Sequence, residues 1–384
     1  VNHSWFAVDL PTILIVTGGR VIMISNVVIA IVLIVIAAAA YFINLFRGKE
    51  EDSVSNTLIL TGISLIASGI PAISDAVVDC IFQLLSLQSP ENEGGYLFRA
   101  IIGLALVVLG LALKVNLKKR IYVLNMYGIA AQKDIDEPKA LADLKLAEHK
   151  VKEQIIDFVQ LFNGGTAINP TSNKAICKQI ENAAAKFSAK ATEQKKTYFT
   201  GMAPIPYTVY AGTFLETAKI EQYFEYNAHD GKYYSLKSRE KNGWENLAVT
   251  FPQSPDASVT EIVLAISISH KVRDADLSQF STDLVHLSLN TPKDNVIKNI
   301  KQLKEYKSVM DDVIQNQLIA KYPNLKTIHI AASIPSCVSV ELGKIIGMRT
   351  NRMPDIVIHH YISSNIPCYV FGLHVNGANK GELC

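Results

Sequence analysis

Two segments of the sequence place small and polar residues where a predicted strand passes into a helix, a position that can bind phosphate. Lys196 begins KTYFTGMAPIPYTVYAGTFL, and Lys326 begins KTIHIAASIPSCVSVELGKII. Each stretch contains Lys-Thr, an apolar strand, small residues, Ile-Pro and a helix with a glycine near its middle. A further predicted strand follows each stretch, so the pattern predicts a duplicated βαβ unit and a mainly parallel sheet.

The candidate ligand residues lie where these strands end, because open α/β sheets bind ligands beyond the carboxyl ends of their strands. The two copies contribute matching positions: Ala203, Pro204 and Pro206 in the first, and Ser333, Ile334 and Pro335 in the second. Ser336 and Cys337 could present backbone N–H groups to a phosphate. Ser336 could equally serve as a helix cap.

A third apolar strand, EIVLAISIS at 261–269, ends at the same predicted edge. Ser269 and His270 would face the crevice, where His270 could donate to a phosphate or a base. Lys271 and Arg273 could add positive charge or remain solvated. Aromatic stacking on a base contributes about 1–3 kcal/mol. Trp244 and, less strongly, Tyr226 are candidates for that role; Trp244 could instead belong to the core.

The sequence shows no familiar catalytic pattern, neither GxSxG, HExxH, a P-loop nor GxGxxG. His359 and His360 are adjacent on a predicted strand, so their rings should point to opposite faces and not share a metal. We therefore expect a protein that is not an enzyme. A nuclease that opens its own cyclic ligand remains a weaker alternative, with His270 as its acid or base. Five dispersed cysteines predict neither a disulfide framework nor a zinc site.

Charge is distributed unevenly along the 384 residues. Residues 1–117 carry five basic and eight acidic side chains, whereas the remainder carries 32 basic and 27 acidic ones. Charge density doubles near Leu117, which predicts a domain boundary there. The net charge of +2 excludes a strongly basic nucleic-acid-coating protein, and the apolar content excludes intrinsic disorder.

The N-terminal part is apolar enough to predict a transmembrane module at 26–117, after an extension at 1–25. Residues 26–46 contain no charge and would span about 31 Å as a helix. Further spans are predicted at 57–74 and, if Lys114 snorkels, at 100–117. The sequence is compatible with two, three or four spans. It does not assign a role to Asp75 and Asp79. Basic residues after the last span predict that the larger C-terminal part is cytoplasmic.

The remaining chain is predicted as a helical linker at 118–162 and a sensor domain at 163–384, with halves at about 163–255 and 256–384. The linker prediction depends on Leu141, Leu144, Val151 and Ile155, which recur at helical spacing. No opening strand stands out before Thr197. The sheet of the first half is therefore expected to be reduced.

This arrangement resembles the SAVED domain of bacterial CBASS anti-phage systems. The resemblance covers roughly residues 150–384, and its most specific part is IHIAASIPSCVSVELGK at 328–344. The other segments that carry it are MAPIPYTVYAG at 202–212, WENL at Trp244 and VLAISISH at 263–270. With an apolar module ahead of it, the chain is similar to membrane-spanning SAVED effectors.

The resemblance implies an α/β fold in which N-terminal transmembrane helices precede two fused Rossmann-like, CARF-like halves. It implies a cyclic di- or trinucleotide as activating ligand, made by a partner synthase, with no other cofactor and no long nucleic acid. Binding would drive self-association, disruption of the bacterial inner membrane and abortive infection. The alternative is a membrane scaffold that senses the nucleotide and recruits a partner without forming a pore. Ligand ring size and subunit number stay open.

Overall fold

The computed structural model describes residues 13–17, 20–24, 51–67, 94–118, 120–127, 150–158, 168–192, 196–227, 229–238, 243–348 and 353–384. The chain divides into two compact units, 1–119 and 120–384. The second unit carries all the predicted ligand residues.

The first unit contains an antiparallel strand pair, β1 (Ile13–Thr17) and β2 (Arg20–Ile24), and two helices, α1 (Glu51–Ala67) and α2 (Gly94–Lys118). The helices pack closely through glycine. A Cβ added at Gly62 of α1 would lie 2.5 Å from a backbone oxygen of α2. A Cβ added at Gly110 of α2 would lie 2.9 Å from the carbonyl oxygen of Ser55, so glycine in each helix allows the two backbones to approach.

The prediction of a multi-pass inner-membrane protein is wrong: among the described residues, no helix is long and apolar enough to cross a membrane. Helix α1 has 17 residues, or about 25 Å, which is shorter than a bilayer core of about 30 Å. In α2 the charge-free run at 100–113 would cover about 21 Å. Lys114 follows this run, and its Nζ donates to Asn56 Oδ1 of α1 at 3.2 Å. The predicted span at 26–46 and residues 68–79 lie outside the described residues.

The second unit begins with a five-stranded sheet in the order β4-β3-β5-β6-β7. The first four strands in this order run parallel, and β7 is antiparallel to β6. Its elements are β3 (Arg120–Tyr127), β4 (Lys150–Asp157), α3 (Pro170–Thr192), β5 (Lys196–Gly201), α4 (Ile205–Gly212), β6 (Gln222–Asn227) and β7 (Lys232–Ser235).

A six-stranded sheet follows, in the order β13-β12-β11-β9-β10-β8, with four parallel strands between two antiparallel edges. Its elements are β8 (Ala248–Thr250), β9 (Glu261–Ser267), β10 (Asp283–Ser288), α5 (Ile300–Asp312), α6 (Leu318–Lys321), β11 (Thr327–Ser333), α7 (Ser336–Met348), β12 (Asp355–Tyr361) and β13 (Tyr369–His374). A π-helical turn at Val313–Gln317 joins α5 to α6.

The two sheets have the same topology, so the internal duplication predicted from the sequence is confirmed and extends further than predicted. The order β4-β3-β5-β6-β7 corresponds strand by strand to β10-β9-β11-β12-β13, and β8 is an addition to the second sheet. The opening strands that the sequence did not reveal in the first half are β3 and β4. We refer to the part from β3 to β7 as the first half and to the part from β8 to β13 as the second half.

The predicted helical linker at 118–162 is wrong wherever the structure describes it, because 120–127 and 150–157 are strands. Val151 and Ile155 were interpreted as a helical pair. Residues four apart share a face in a helix, but they also share a face in a strand, where side chains alternate. Parallel pairing of β4 with β3 over eight residues decides in favour of the strand.

Helices α4 and α7 meet where the two halves join, through one glycine of each: Gly343 lies in the middle of α7, as predicted, whereas Gly212 is the last residue of α4. A Cβ at Gly212 would overlap the carbonyl oxygen of Val340, and one at Gly343 would overlap that of Val209. Each helix also packs on a strand of the opposite half, α4 on β12 and α7 on β6. The halves are therefore joined by a reciprocal crossing that needs glycine at both positions.

Candidate functional site

A cavity of about 530 Å³ lies at the carboxyl ends of β9, β11 and β12, beside the turn that precedes α4. We call it the carboxyl-end cavity. The first half contributes residues 202–205 to its lining, and the second half contributes the rest. Seven residues predicted from the sequence line it: Ala203, Pro204, Ser269, His270, Arg273, Ser333 and Ile334.

Ser333 organises the floor of this cavity by tying the end of β11 to the end of β9. Its carbonyl oxygen accepts from the N–H of Ile268 at 3.0 Å and of Ser269 at 2.9 Å. Its hydroxyl accepts from the N–H of His270 at 3.1 Å. Because that hydroxyl still has its own hydrogen to donate, Ser333 can connect the two strand ends and bind a ligand at the same time.

The basic residues of the rim are exposed, and two of them are paired with acids. The imidazole Nε2 of His270 lies 3.3 Å from Asp294 Oδ1. Arg273 makes a bidentate contact with Asp276, at 3.0 Å from Nε and 2.9 Å from Nη2. Lys271, which also lines the cavity, is exposed. Lys271 and Arg273 thus lie on the rim of the cavity, and the charge of Arg273 is balanced by Asp276.

The rear wall contains two histidines that sequence reasoning did not place in the site, His359 and His360. His359 Nε2 lies 2.9 Å from Nδ1 of His329, and its ring packs against Phe280. His360 stacks beside Phe371, so the two rings occupy opposite faces of β12, as predicted. Burial lowers the pKa of His359 to about 3 and that of His360 to about 4. Both imidazoles are therefore neutral near pH 7.

The signal for these histidines was the sequence VIHHY, which ends β12 at the same edge as Ser269 and Ser333. Tyr361 and Tyr369 complete this wall, and Tyr361 is partly exposed to the cavity. Neutral imidazole and phenol rings offer flat surfaces and single hydrogen bonds, which suit a nucleobase. Among the described residues, no group of three or more His, Cys, Asp or Glu side chains is arranged to hold a metal ion.

Three predicted aromatic or turn residues lie away from the cavity lining. The indole N–H of Trp244 donates to Glu305 Oε2 at 2.7 Å, and the ring packs beside Lys301 of α5. Tyr226 packs against Tyr233 with ring centroids 5.2 Å apart. Pro206 is buried in the first turn of α4. The structure thus places Trp244 in packing, which was its alternative interpretation.

Pro335, Ser336 and Cys337 also lie outside the cavity lining, and the N-terminus of α7 already binds an anion from the protein itself. The N–H of Cys337 donates to Glu225 Oε1 of β6 at 2.5 Å. Burial raises the pKa of Glu225 to about 7, while hydrogen bonds from Cys337 and Ser336 act in the opposite direction. The phosphate contact predicted for Ser336 and Cys337 is therefore occupied by a carboxylate.

A second polar cluster joins the halves next to this contact. The buried carboxylate of Glu341 accepts from Lys307 at 2.6 Å and from the hydroxyl of Tyr223, and it lies 3.3 Å from Lys344. These cations, together with the tyrosine hydroxyl, hold the pKa of Glu341 below its usual value despite its burial. Lys344 also donates to the carbonyl of Ala218 in the first half at 2.8 Å.

Comparison with known proteins agrees with this architecture. Residues 180–375, just over half of the chain, match the family model described as the SMODS-associated and fused to various effectors sensor domain, SAVED. The chain belongs to the SAVED family. This confirms the sensor domain predicted from the sequence, but not the membrane-spanning type. None of the curated proteins is a significant match to the SAVED chain.

Solved structures with a similar fold include the Cap4 SAVED/CARF-domain containing receptor of Acinetobacter baumannii. Its complex with the cyclic trinucleotide 2'3'3'-cAAA has a TM-score of 0.46 and 12% sequence identity, and the match covers 73% of this chain and 60% of that one. Its complex with 3'3'3'-cAAA has a TM-score of 0.44 and 14% sequence identity, with the same coverage of both chains. This SAVED protein thus spans about three fifths of the length of those receptors.

Proposed function

We propose that this protein is a receptor for a cyclic oligonucleotide second messenger in CBASS anti-phage defence, and that the carboxyl-end cavity is its ligand site. The observation that carries the proposal is the position of that cavity. It lies beyond the carboxyl ends of parallel strands, between two duplicated halves of a SAVED sensor domain. Open α/β sheets bind nucleotides at this edge.

The residues of the cavity can recognise both parts of such a ligand. Lys271 and Arg273 on the rim provide cations for the phosphodiesters, and Ser333 provides a hydroxyl donor. Tyr361 on the rear wall provides a surface on which a base can stack, at about 1–3 kcal/mol for each base, and the buried His360 lies behind it. Rim charge should therefore control affinity and its salt dependence, while the rear wall should select the base.

We further propose that the protein binds its ligand without chemically changing it. His270, the acid or base considered for a nuclease, is largely exposed and lies beside Asp294. His359 and His360 are deeply buried and have lowered pKa values, so neither is protonated near pH 7 and available as a general acid. The geometry supports a receptor over a nuclease that opens the ring.

We propose that ligand binding leads to self-association and that the first unit delivers the output. Helix α2 exposes five apolar side chains at alternating spacings of three and four residues, the pattern of a coiled-coil seam. They are Ile101, Leu104, Val108, Leu111 and Val115. Such a seam fits a second copy of α2. The membrane disruption expected from the sequence is not part of this proposal, because it required membrane-spanning helices.

The ligand proposal is tested by calorimetric titration of the full chain with 3'3'3'-cAAA, 2'3'3'-cAAA and a panel of cyclic dinucleotides. Linear triadenylate is the control ligand. We expect saturable binding of at least one cyclic compound. Combined Lys271→Ala and Arg273→Ala substitutions should weaken it at least tenfold and reduce its salt dependence. The matched control is Lys304→Ala, at an exposed lysine on α5. Absence of binding to every cyclic compound would overturn the proposal, as would equal affinity in the rim and control variants.

Self-association is tested by sedimentation velocity with and without the bound nucleotide. We expect a ligand-dependent increase in mass that Leu104→Ser combined with Leu111→Ser abolishes. Ala112→Ser, at an exposed neighbouring position outside the stripe, should leave the increase unchanged. A protein that stays monomeric with saturating ligand would contradict self-association and favour the recruitment of a different partner.

A further inference from the structure

The duplication places Glu225 and His360 at equivalent positions in the two halves. In the first half Phe199 pairs with Tyr223, and Glu225 follows two residues later on β6. In the second half Ile330 pairs with Ile358, and His360 follows two residues later on β12. The crossing helices begin six residues after Phe199 and six residues after Ile330, at Ile205 and Ser336. The two side chains thus have matching positions relative to sheet and helix.

Glu225 contacts the helix N-terminus of the opposite half, and His360 lines the same cavity as the turn that precedes the helix of the first half. Helix α7 packs on β6, where Glu225 accepts from the N–H of Cys337 at 2.5 Å. Helix α4 packs on β12, where His360 and the turn at Pro204 both line the carboxyl-end cavity. A duplicated sensor would have two such positions for anions. One holds a carboxylate of the protein, and the other opens into a cavity.

The carboxylate of Glu225 does what a bound phosphate oxygen would do. Its oxygens accept hydrogen bonds from the first-turn N–H groups, and above its raised pKa of about 7 it also brings negative charge to the positive end of the α7 dipole. Glu225 itself is only 6% exposed, so water does not compensate its charge. Tyr234 of the neighbouring strand β7 also lies close enough to interact with it.

We propose that Glu225 is an internal anion that closes one of two equivalent ligand-phosphate positions, so that the receptor binds its cyclic oligonucleotide through the position beside His360 alone. The ligand part of this inference rests on the proposed function; the closure by Glu225 does not. The open position is also chemically different, because Pro206 removes one N–H from the first turn of α4. Rim cations and Ser333 therefore have to replace helix N–H groups in binding phosphate on that side.

Anion rescue in the full-length protein tests the closure without any nucleotide. Glu225→Ala removes the carboxylate, whereas Glu225→Gln keeps an acceptor of the same size and serves as the matched control. Thermal unfolding is followed in sodium chloride, sodium formate and sodium phosphate at equal ionic strength and at about pH 8, above the raised pKa of Glu225. We expect formate to raise the Tm of Glu225→Ala by about 2–4 °C over chloride when it is tenfold above its Kd. The wild-type protein and Glu225→Gln should shift by less than about 1 °C.

If Glu225→Ala does not fold in chloride, recovery of its near-ultraviolet circular dichroism in formate supports the proposal equally well. Equal responses of all three proteins to formate would overturn it. So would a Glu225→Ala protein that neither formate nor phosphate stabilises. These outcomes do not depend on whether any cyclic nucleotide binds.

The ligand part is tested by titrating the same three proteins with 3'3'3'-cAAA and 2'3'3'-cAAA. We expect Glu225→Ala to bind about tenfold more tightly and with a steeper salt dependence, because a second phosphate position has been opened. Glu225→Gln should match the wild-type protein. If formate stabilises Glu225→Ala but its affinity for the nucleotide is unchanged, the proposal that Glu225 limits binding to the position beside His360 is overturned. Failure of all three proteins to bind would instead contradict the proposed function.

Discussion

The two halves of the sensor unit share a topology but differ in what their strands carry at corresponding positions. Tyr198 and Phe224 form an aromatic pair in the first half, whereas His329 and His359 form a hydrogen-bonded pair in the second. Glu225 of the first half closes the N-terminus of α7 in the second half, whereas its counterpart His360 borders the cavity. The features common to both halves are the strand order and the glycine crossing. The duplication has therefore kept the scaffold alike and changed the side chains at the strand ends.

The largest expected effect concerns the junction that both halves share. Glu341→Ala would leave Lys344, which is 7% exposed, as a buried charge without its carboxylate. Breaking one side of a buried ion pair costs about 3–5 kcal/mol of unfolding free energy. Urea unfolding at pH 7 measures this. The control is Glu305→Ala, which changes a carboxylate on α5 that is about half exposed. A loss under 1 kcal/mol for Glu341→Ala would show that the cluster does not hold the halves together.

The second prediction tests whether the crossing is as symmetrical as it looks. Gly212→Ala and Gly343→Ala should each destabilise the protein by about 3 kcal/mol, because each new methyl group would overlap a carbonyl of the opposite helix. Ser308→Ala, at an exposed position of α5, should stay within about 0.5 kcal/mol. The same urea measurement applies. Markedly unequal losses of unfolding free energy for the two variants would mean that one helix shifts to accommodate the methyl group. The junction would then be less symmetrical than the strand order.

The scaffold could be predicted from the sequence largely because its strand–turn–helix unit is repeated in the chain. The stretches beginning at Lys196 and Lys326 are similar in sequence, and each shows its strand, its turn and the glycine at which its helix crosses the other. Strand β4 could not be predicted because Val151 and Ile155 fit a helix and a strand equally well. Only its pairing with β3, which is distant in sequence, decides between the two.

The site was predicted in part for the same reason. Ser269 and Ser333 could be found because both end strongly apolar strands, and such ends gather at one edge of a parallel sheet. Glu225 could not be found this way. Its importance comes from α7, more than a hundred residues away, which crosses from the other half to meet it. A carboxylate on the amphipathic strand QYFEYN looks solvated until that crossing is known.

The third prediction is that the two equivalent positions give opposite pH dependence. The pKa of Glu225 is raised to about 7 in the folded state, so the protonated acid stabilises the fold at low pH. That contribution falls by about 2 kcal/mol between about pH 5 and pH 7. The pKa of His360 is lowered to about 4, so its contribution rises by about 2 kcal/mol over the same range. In the wild-type protein these two slopes nearly cancel.

Single substitutions should separate these slopes, as measured by urea unfolding at several pH values between about 5 and 7. Glu225→Gln leaves the histidine slope, so the stability of this variant relative to wild type should increase with pH. His360→Gln leaves the glutamate slope, so its relative stability should decrease with pH. The double variant should again follow the wild-type profile. Two slopes of the same sign would contradict the contrast drawn here between Glu225 and His360.

The smallest expected effect distinguishes Tyr361, which lines the carboxyl-end cavity, from Trp244, which the sequence predicted as a base-stacking residue. Trp244→Phe removes the hydrogen bond to Glu305 at a partly exposed site, so we expect a loss of about 0.5–1 kcal/mol and no change in affinity for a cyclic nucleotide. Tyr361→Ala should do the reverse, because this residue lines the cavity and is 38% exposed. It should cost little stability but weaken binding about tenfold, measured by the same titration. If Trp244→Phe weakened binding as much as Tyr361→Ala did, the ligand would have to reach α5, well beyond the strand ends that line the cavity.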